Sequence, residues 1–95
     1  MQDLNFPPYS FRIKNSQNRQ YIFDGLRKKF VVLQPEEWVR QHVLRYLVFT
    51  KNYPKSLINV EKQLTVNKLK KRYDVVVFHP DGSIFLLIEC KAPEV

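Results

Sequence analysis

The chain has 95 residues, which is enough for one domain with a modest core. Lys and Arg number 16 against 9 Asp and Glu, and the formal net charge of +7 favours a phosphate-rich polymer or an anionic surface as partner. No apolar stretch is long enough to span a bilayer, a signal-peptide pattern is lacking, and the single cysteine cannot form an internal disulfide. These features predict a cytoplasmic protein without a membrane partner.

The first third of the chain is predicted to be mostly β-structure. Pro7 and Pro8 oppose regular strand pairing, so residues 1–9 should form an irregular arm. Apolar runs separated by a polar turn at 15–19 then indicate short strands over 11–14, 20–24 and 29–33. Residues 1–34 are therefore expected to form an arm and a β-hairpin extension, which makes one globular unit with a core of residues 35–95.

A helix is predicted to follow. Pro35 fits the first position of a helix, and apolar residues recur at helical spacing from Trp38 onward. The helix should run to about Lys51, because Asn52-Tyr53-Pro54 stops it. After it, the chain is predicted to form a strand over 57–66, a tight turn over 67–71 and a second hairpin.

The second hairpin places charged residues at one end of two strongly apolar strands. Asp74 precedes the first of these strands, and the second runs into Glu89-Cys90-Lys91. The Asp81-Gly82 pair between them is typical of a two-residue loop, which would place Asp74 opposite Glu89. Side chains alternate along a strand, so Glu89 and Lys91 should share one face while Cys90 points away. A three-residue loop would instead shift the pairing by one residue and separate the two carboxylates.

Two carboxylates at one end of a hairpin suggest a metal site. At a cross-strand spacing of about 5 Å they repel each other unless a cation lies between them. Hard oxygen ligands without a histidine or thiol cluster suit Mg²⁺ or Mn²⁺ rather than zinc. Such a metal would activate water for attack on a phosphodiester, with Lys91 orienting that water or stabilising charge on the phosphate. Alternatively, an Asp74–Lys91 or Glu89–Arg72 ion pair simply ties the end of the hairpin together.

Asp74 and Glu89-Cys90-Lys91 resemble the PD-(D/E)-x-K nuclease signature, although Tyr73 stands where the signature usually has proline. Over about residues 10–95 the chain resembles the N-terminal nuclease-like domain of type I restriction enzyme R subunits. It looks closest to small stand-alone bacterial proteins that carry this domain. The segments that carry the resemblance are residues 35–41, 59–62, 71–74 and 88–93.

This resemblance implies roles for individual residues. Lys91 would be the catalytic lysine, and the metal ligands would be Asp74, Glu89 and the backbone carbonyl of Cys90. Such folds often add a glutamate from the preceding helix, here Glu36 or Glu37, and we favour Glu36. Both glutamates would also stabilise the first helical turn through the helix dipole, and that role alone is the alternative.

A basic cluster leads directly into the predicted site. It consists of Lys68, Lys70, Lys71 and Arg72, and it would hold a nucleic-acid backbone against the metal unless it is only a solvated loop. A second basic cluster, at 27–29, is expected to be solvated surface. Glu61, on the strand before the hairpin, is expected to pair with Lys91 rather than to bind metal.

Both faces of the second hairpin are apolar, so both should be covered. The helix can cover one face. Related domains cover the other with a second helix and a further strand after the lysine, but this chain ends soon after Lys91. We therefore expect a truncated domain, an N-terminal hairpin folded over the second face, or an oligomer or partner subunit that buries it.

Together these observations predict an α+β domain with an α/β-type three-layer core. Its helix and three-strand meander would form the core half of a restriction-endonuclease-like fold. The expected function is Mg²⁺-dependent hydrolysis of DNA phosphodiester bonds in restriction-modification. The alternatives are a non-cutting DNA-binding or assembly module that retains the fold, and a purely structural oligomerisation domain.

Overall fold

A computed structural model describes residues 3–93, which form one α-helix and two three-stranded antiparallel sheets. The helix, α1, spans Pro35–Arg45 and connects the two sheets. The first sheet contains, in sequence order, β1 (Ile13–Ser16), β2 (Arg19–Asp24) and β3 (Lys29–Val32). The second contains β4 (Ile58–Val66), β5 (Leu69–Phe78) and β6 (Ile84–Ile88), again in sequence order. The predicted α+β class and the three-strand meander are confirmed.

The β1–β2 turn is shorter than the sequence predicted. Gln17 and Asn18 form the β1–β2 turn with φ values of 50° and 64°, the positive values that a two-residue turn requires to match strand twist. Strand β1 therefore continues to Ser16 rather than ending at residue 14, and its first residue is Ile13 rather than residue 11. The third strand is present, so the extension is a sheet rather than a simple hairpin.

Helix α1 begins at Pro35, as predicted. Its regular α-helical part ends at Arg45, and the segment Tyr46–Thr50 continues as a wider π-helical turn. The backbone N–H of Lys51 donates a 2.9 Å hydrogen bond to the carbonyl of Tyr46, which closes that turn. The predicted extent to about residue 51 is confirmed, but the last turn is not α-helical.

The core lies between the helix and the second sheet. Its buried members are Leu44, Leu47, Ile58, Val75 and Val77. Removing these side chains from water supplies the main force that holds α1 against the sheet. Val76, on the other side of β5, is also fully buried, which explains why this strand is apolar at every position in its centre.

The first sheet and the residues next to its strands contact both the core cluster and helix α1. Leu26, in the β2–β3 turn, packs against the core cluster. Phe11, just before β1, contacts Trp38 and His42 with ring centroids 5.2 Å and 4.8 Å away. On the opposite side of β6, Leu87 remains 42% exposed, so the second face of the hairpin is only partly covered.

The β5–β6 pairing has the predicted register but a different turn. Val75 pairs with Ile88 and Val76 with Leu87, which is the register that aligns Asp74 with Glu89. The predicted two-residue loop is wrong, however. The N–H of His79 donates to the carbonyl of Ser83 at 2.8 Å, and this bond encloses a three-residue turn at 80–82.

A β-bulge reconciles the longer turn with the expected register. Phe78 pairs with Ile84 while Val77 pairs with Leu86, so Phe85 is an extra residue on β6. An extra residue on one strand shifts the register by one position. The bulge therefore reverses the shift that a three-residue turn introduces.

Candidate metal and nucleic-acid site

Asp74 lies on β5 immediately before the buried stretch of that strand. Its Oδ2 accepts a 2.6 Å hydrogen bond from the backbone N–H of Cys90, and its Oδ1 lies 3.6 Å from Nη1 of Arg40. The side chain is 33% exposed. Asp74 therefore holds the segment after β6 beside β5 while remaining accessible to solvent.

Glu89 follows β6 and forms an ion pair with Lys71, a residue of β5. Both side chains are exposed, at 43% for Glu89 and 57% for Lys71. The hydrogen bond from Lys71 and its charge lower the pKa of Glu89, and the pKa of Lys71 is raised in return. Each of the two carboxylates therefore faces a different protein cation, which is Arg40 for Asp74 and Lys71 for Glu89. These pairs stand in place of the Asp74–Lys91 and Glu89–Arg72 pairs that the sequence suggested.

Cys90 and Lys91 point in different directions, as predicted. Cys90 is buried, and burial followed by the negative charge of Asp74 raises the pKa of its thiol to about 11. The thiol is therefore protonated at neutral pH, and this residue can serve a site only through its backbone. Lys91 is exposed, and its charge contributes to lowering the pKa of Glu89.

The two helix glutamates have opposite environments. Glu36 is exposed, whereas Glu37 is buried. After burial and the charge of Asp74, the negative charges of both glutamates also contribute to the raised pKa of Cys90. The carboxylate of Glu37 is occupied by hydrogen bonds of 2.9–3.2 Å from the side chains of Arg27, Arg40 and Gln41.

A buried polar network behind the site was missed in the sequence. At its centre is the fully buried Asp24, which accepts hydrogen bonds of 2.7–2.9 Å from the backbone N–H groups of Leu26 and Arg27 and from the side chains of Arg27 and Gln41. Burial by itself would raise the pKa of Asp24, but the hydrogen bonds from Arg27 and Gln41 outweigh it and lower the pKa. This network joins the first sheet to the helix. Arg27, expected to be solvated, is part of it.

Arg40 connects this network to Asp74. Its Nη2 lies 3.0 Å from Glu37 and 3.5 Å from Glu61, while its Nη1 finds no hydrogen-bond partner among residues 3–93. The structure thus places Glu61 beside Arg40 and Arg27, whereas the sequence predicted Lys91 as its partner. The spacing of Glu37, Arg40 and Gln41 on one helix face was the available signal for this network.

Three of the four residues of the basic cluster lie in a strand rather than in a loop. Only Asn67 and Lys68 form the β4–β5 turn, with φ values of 51° and 66°, so the predicted turn over 67–71 is wrong. Strand β5 already begins at Leu69, and the predicted backbone-binding residues Lys70, Lys71 and Arg72 are part of it. All four basic residues of the cluster are exposed.

Within residues 3–93, no group of three or more His, Cys, Asp or Glu side chains is arranged to hold a metal. The predicted ligands Asp74 and Glu89 are brought to the same end of the hairpin, but Glu36 and Glu61 do not join them in such a group. None of the described helices combines the length and the apolar character needed to cross a bilayer.

Comparison with protein-family models gives a match between residues 35–95 and the type I restriction enzyme R protein N terminus. The matched segment begins at the first residue of α1 and includes the second sheet and both predicted carboxylates. Searches of curated proteins and of solved structures gave no match. The family match covers more than half of the chain and confirms the resemblance seen in its motifs. The chain therefore belongs to the family of type I restriction enzyme R protein N termini.

Proposed function

We propose that this chain acts on DNA, in restriction or a related process in the cytoplasm, by Mg²⁺-dependent hydrolysis of phosphodiester bonds. The observation that carries the proposal is the 2.6 Å hydrogen bond from the Cys90 N–H to Asp74. This bond brings residues 89–91 alongside Asp74, so the two acids and the lysine of the motif come from adjacent segments. The family match supports restriction-related DNA as the substrate.

The oxygen donors at this end of the hairpin are of the chemical type that Mg²⁺ and Mn²⁺ prefer. Asp74, Glu89 and the backbone carbonyl of Cys90 would supply hard oxygen donors. Glu89 forms an exposed ion pair with Lys71, and such pairs contribute little stability, so its carboxylate can turn to a cation at small cost. A metal held by these residues would supply polarisation of the phosphodiester and a lower pKa for a bound water.

Residues around these ligands would complete the chemistry. Lys91 is exposed beside Glu89, where its ammonium group would orient the attacking water or stabilise charge on the phosphate. Glu36 is the helix glutamate we assign to the site. Glu37 is already saturated by Arg27, Arg40 and Gln41, whereas Glu36 is exposed on the same helical turn.

Calorimetric titration with Mg²⁺ and Mn²⁺ tests this proposal. The wild type should bind metal, Asp74→Ala should abolish binding, and cleavage of supercoiled plasmid DNA should be lost in the same variant. Asp81→Ala is a matched control, because Asp81 is an exposed aspartate at the opposite end of the same hairpin. Metal binding and cleavage that survive in Asp74→Ala would refute the assignment.

A non-cutting DNA-binding or assembly module is the second candidate. The favouring observation is that Arg40 and Lys71 already face the two carboxylates, so the protein balances their charge without a metal. In that case the wild type would bind DNA in a salt-sensitive manner but would bind neither Mg²⁺ nor Mn²⁺.

A second copy or a partner subunit remains a prediction for the half-exposed face of the hairpin. Leu87 is the apolar side chain at its centre, and Ile84 and Phe85 are similarly exposed near the tip. A partner that packed there would bury all three side chains. Sedimentation of the wild type and of Leu87→Gln would show whether this face drives self-association.

A further inference from the structure

Strands β4 and β5 extend beyond the rest of the second sheet as a two-stranded ribbon, defined here as residues 62–73. Among the described residues, β6 pairs with β5 only from Val75 to Phe78, whereas β4 and β5 stay paired as far as Val66 and Leu69. Every residue from 62 to 72 is exposed except Leu64. The ribbon therefore presents both of its faces to solvent.

One face of the ribbon is entirely polar. Side chains alternate along paired strands, so the cross-strand pairs Thr65–Lys70 and Gln63–Arg72 lie on the same face. This polar face combines two cations with an amide and a hydroxyl. It follows the strand directly toward Asp74, which is two residues beyond Arg72 on β5.

The opposite face is apolar and aromatic apart from two lysines, Lys62 and Lys71. It carries the pair Val66–Leu69, and Leu69 is 72% exposed at the tip. Lys71 also belongs to this face, where its ammonium group lies 5.2 Å from the centre of the Tyr73 ring and pairs with Glu89. Lys71 is therefore engaged within the protein, whereas Lys70 and Arg72 are directed elsewhere.

We propose that the ribbon inserts into the major groove of duplex DNA with its polar face toward the bases and phosphates. The B-DNA major groove, roughly 12 Å wide, admits a two-stranded ribbon. Five residues per strand, 62–66 and 69–73, give the ribbon a length of about 17 Å. Arginine and lysine bind guanine edges or phosphates, and glutamine binds adenine, so this face carries the functional groups that such a groove requires.

The shape of the major groove distinguishes duplex DNA from duplex RNA. The major groove of an A-form RNA helix is too deep and narrow for side chains to read, so a ribbon that works in this way should prefer duplex DNA. The proposal rests on the proposed function in taking DNA as the partner. It goes further by naming the binding element and the helical form, and it places a phosphate near Asp74 when DNA follows the polar face.

The exposed apolar tip of the ribbon suggests self-association as an alternative role, which the experiment must distinguish from DNA binding. Val66 and Leu69 could pack against a second copy of the chain, and the open edges of a ribbon favour such pairing. Charge complementarity favours DNA instead, because the polar face carries Lys70 and Arg72 and the ribbon, residues 62–73, contains no acidic residue.

Fluorescence anisotropy with a labelled DNA duplex of about 20 base pairs tests this proposal. EDTA prevents cleavage, so binding is measured independently of any nuclease activity. The test variant is Lys70→Gln with Arg72→Gln, and the matched control is Lys29→Gln with Arg19→Gln. The control removes the same charges from exposed positions at the strand ends of the first sheet.

The ribbon variant should bind DNA at least about tenfold more weakly, and the slope of log affinity against log salt should fall by about 2. The control should change affinity by less than about threefold. The wild type should bind the DNA duplex more tightly than an RNA duplex of the same sequence. Circular dichroism should show that both variants retain the fold.

Three outcomes would overturn the proposal. Equal losses in the two variants would mean that net charge alone attracts DNA. Equal affinity for RNA and DNA duplexes would exclude major-groove insertion. A dimer that dissociates in Leu69→Gln, together with unchanged DNA binding in the Lys70 and Arg72 variant, would assign the ribbon to self-association. Asp74→Ala separates this proposal from the nuclease assignment, since it should lose metal binding and cleavage but keep ribbon-dependent DNA binding.

Discussion

Two sets of acidic side chains are connected by Arg40, which contacts Glu37 in one set and Asp74 in the other, and the environments of the two sets are opposite. Asp24 and Glu37 are buried and receive hydrogen bonds from several partners each. Asp74 and Glu89 are partly exposed, and each faces a different cation, which is Arg40 for Asp74 and Lys71 for Glu89. The first set joins the first sheet to the helix, whereas the second lies at an accessible end of the second sheet.

The comparison shows why the buried acids are poor candidates for chemistry. A buried carboxylate that loses its partner keeps an uncompensated charge in a medium that solvates it badly. An exposed pair exchanges its partner for water or a cation with little change in free energy. Glu89 can therefore release its carboxylate to a ligand without disturbing the fold, whereas Asp74 would bind a ligand while keeping its hydrogen bond from Cys90.

Asp24→Asn should have the largest effect on stability. The change leaves Arg27 partly buried without its closest carboxylate, so the free energy of unfolding should fall by about 3–5 kcal/mol. Urea denaturation followed by circular dichroism measures the loss. Asp81→Asn, at the exposed hairpin turn, is the control and should change stability little. A loss below about 1 kcal/mol in Asp24→Asn would contradict a structural role for the buried network.

The two adjacent helix glutamates provide a closer comparison. Glu37→Gln should lower the free energy of unfolding by about 2–3 kcal/mol, because it weakens the hydrogen bonds from Arg27 and Arg40 in a buried site. Glu36→Gln should leave stability within about 0.5 kcal/mol but weaken Mn²⁺ binding if that residue belongs to the metal site. A loss of stability in Glu36→Gln together with weaker Mn²⁺ binding in Glu37→Gln would assign the structural role to Glu36 and the metal site to Glu37.

Low pH should lower the stability of the fold through protonation of the buried Asp24. The pKa of Asp24 is lower in the folded chain than in the unfolded chain, so its ionised form contributes stability above the unfolded pKa of about 4. That contribution should be lost as the pH falls through the folded pKa. Denaturation between pH 6 and about pH 2.5 should therefore show a loss of stability that is smaller in Asp24→Asn. Parallel curves for the two proteins would contradict this linkage.

Lys71→Gln should have the smallest effect, and it should act on ligand binding rather than on folding. Removal of the cation that holds Glu89 should increase Mn²⁺ affinity by roughly two- to fivefold without a measurable change in stability. Lys62→Gln is the control, because Lys62 is exposed on the neighbouring strand β4. An equal gain in both variants would show that only the net charge changed.

Local patterns in the sequence were sufficient for several features of the fold and the site. Pro35 marked the start of the helix, and the alternation around Cys90 predicted its buried direction. The β5–β6 register was right although the turn was not, because a bulge at Phe85 compensated for the longer loop. A two-residue loop without a bulge and a three-residue loop with a bulge give the same strand register. The apolar alternation of β5 and β6 therefore does not distinguish them.

The sequence by itself determined the element order, the apolar core and the presence of two acids and a lysine at one end of the second hairpin. The tertiary structure decided which cation each acid meets. Arg40 reaches Asp74 from the helix, and Asp24 and Arg27 join that helix from the first sheet. These contacts depend on the packing of elements far apart in the chain, and side-chain periodicity contains no information about the distance between such elements.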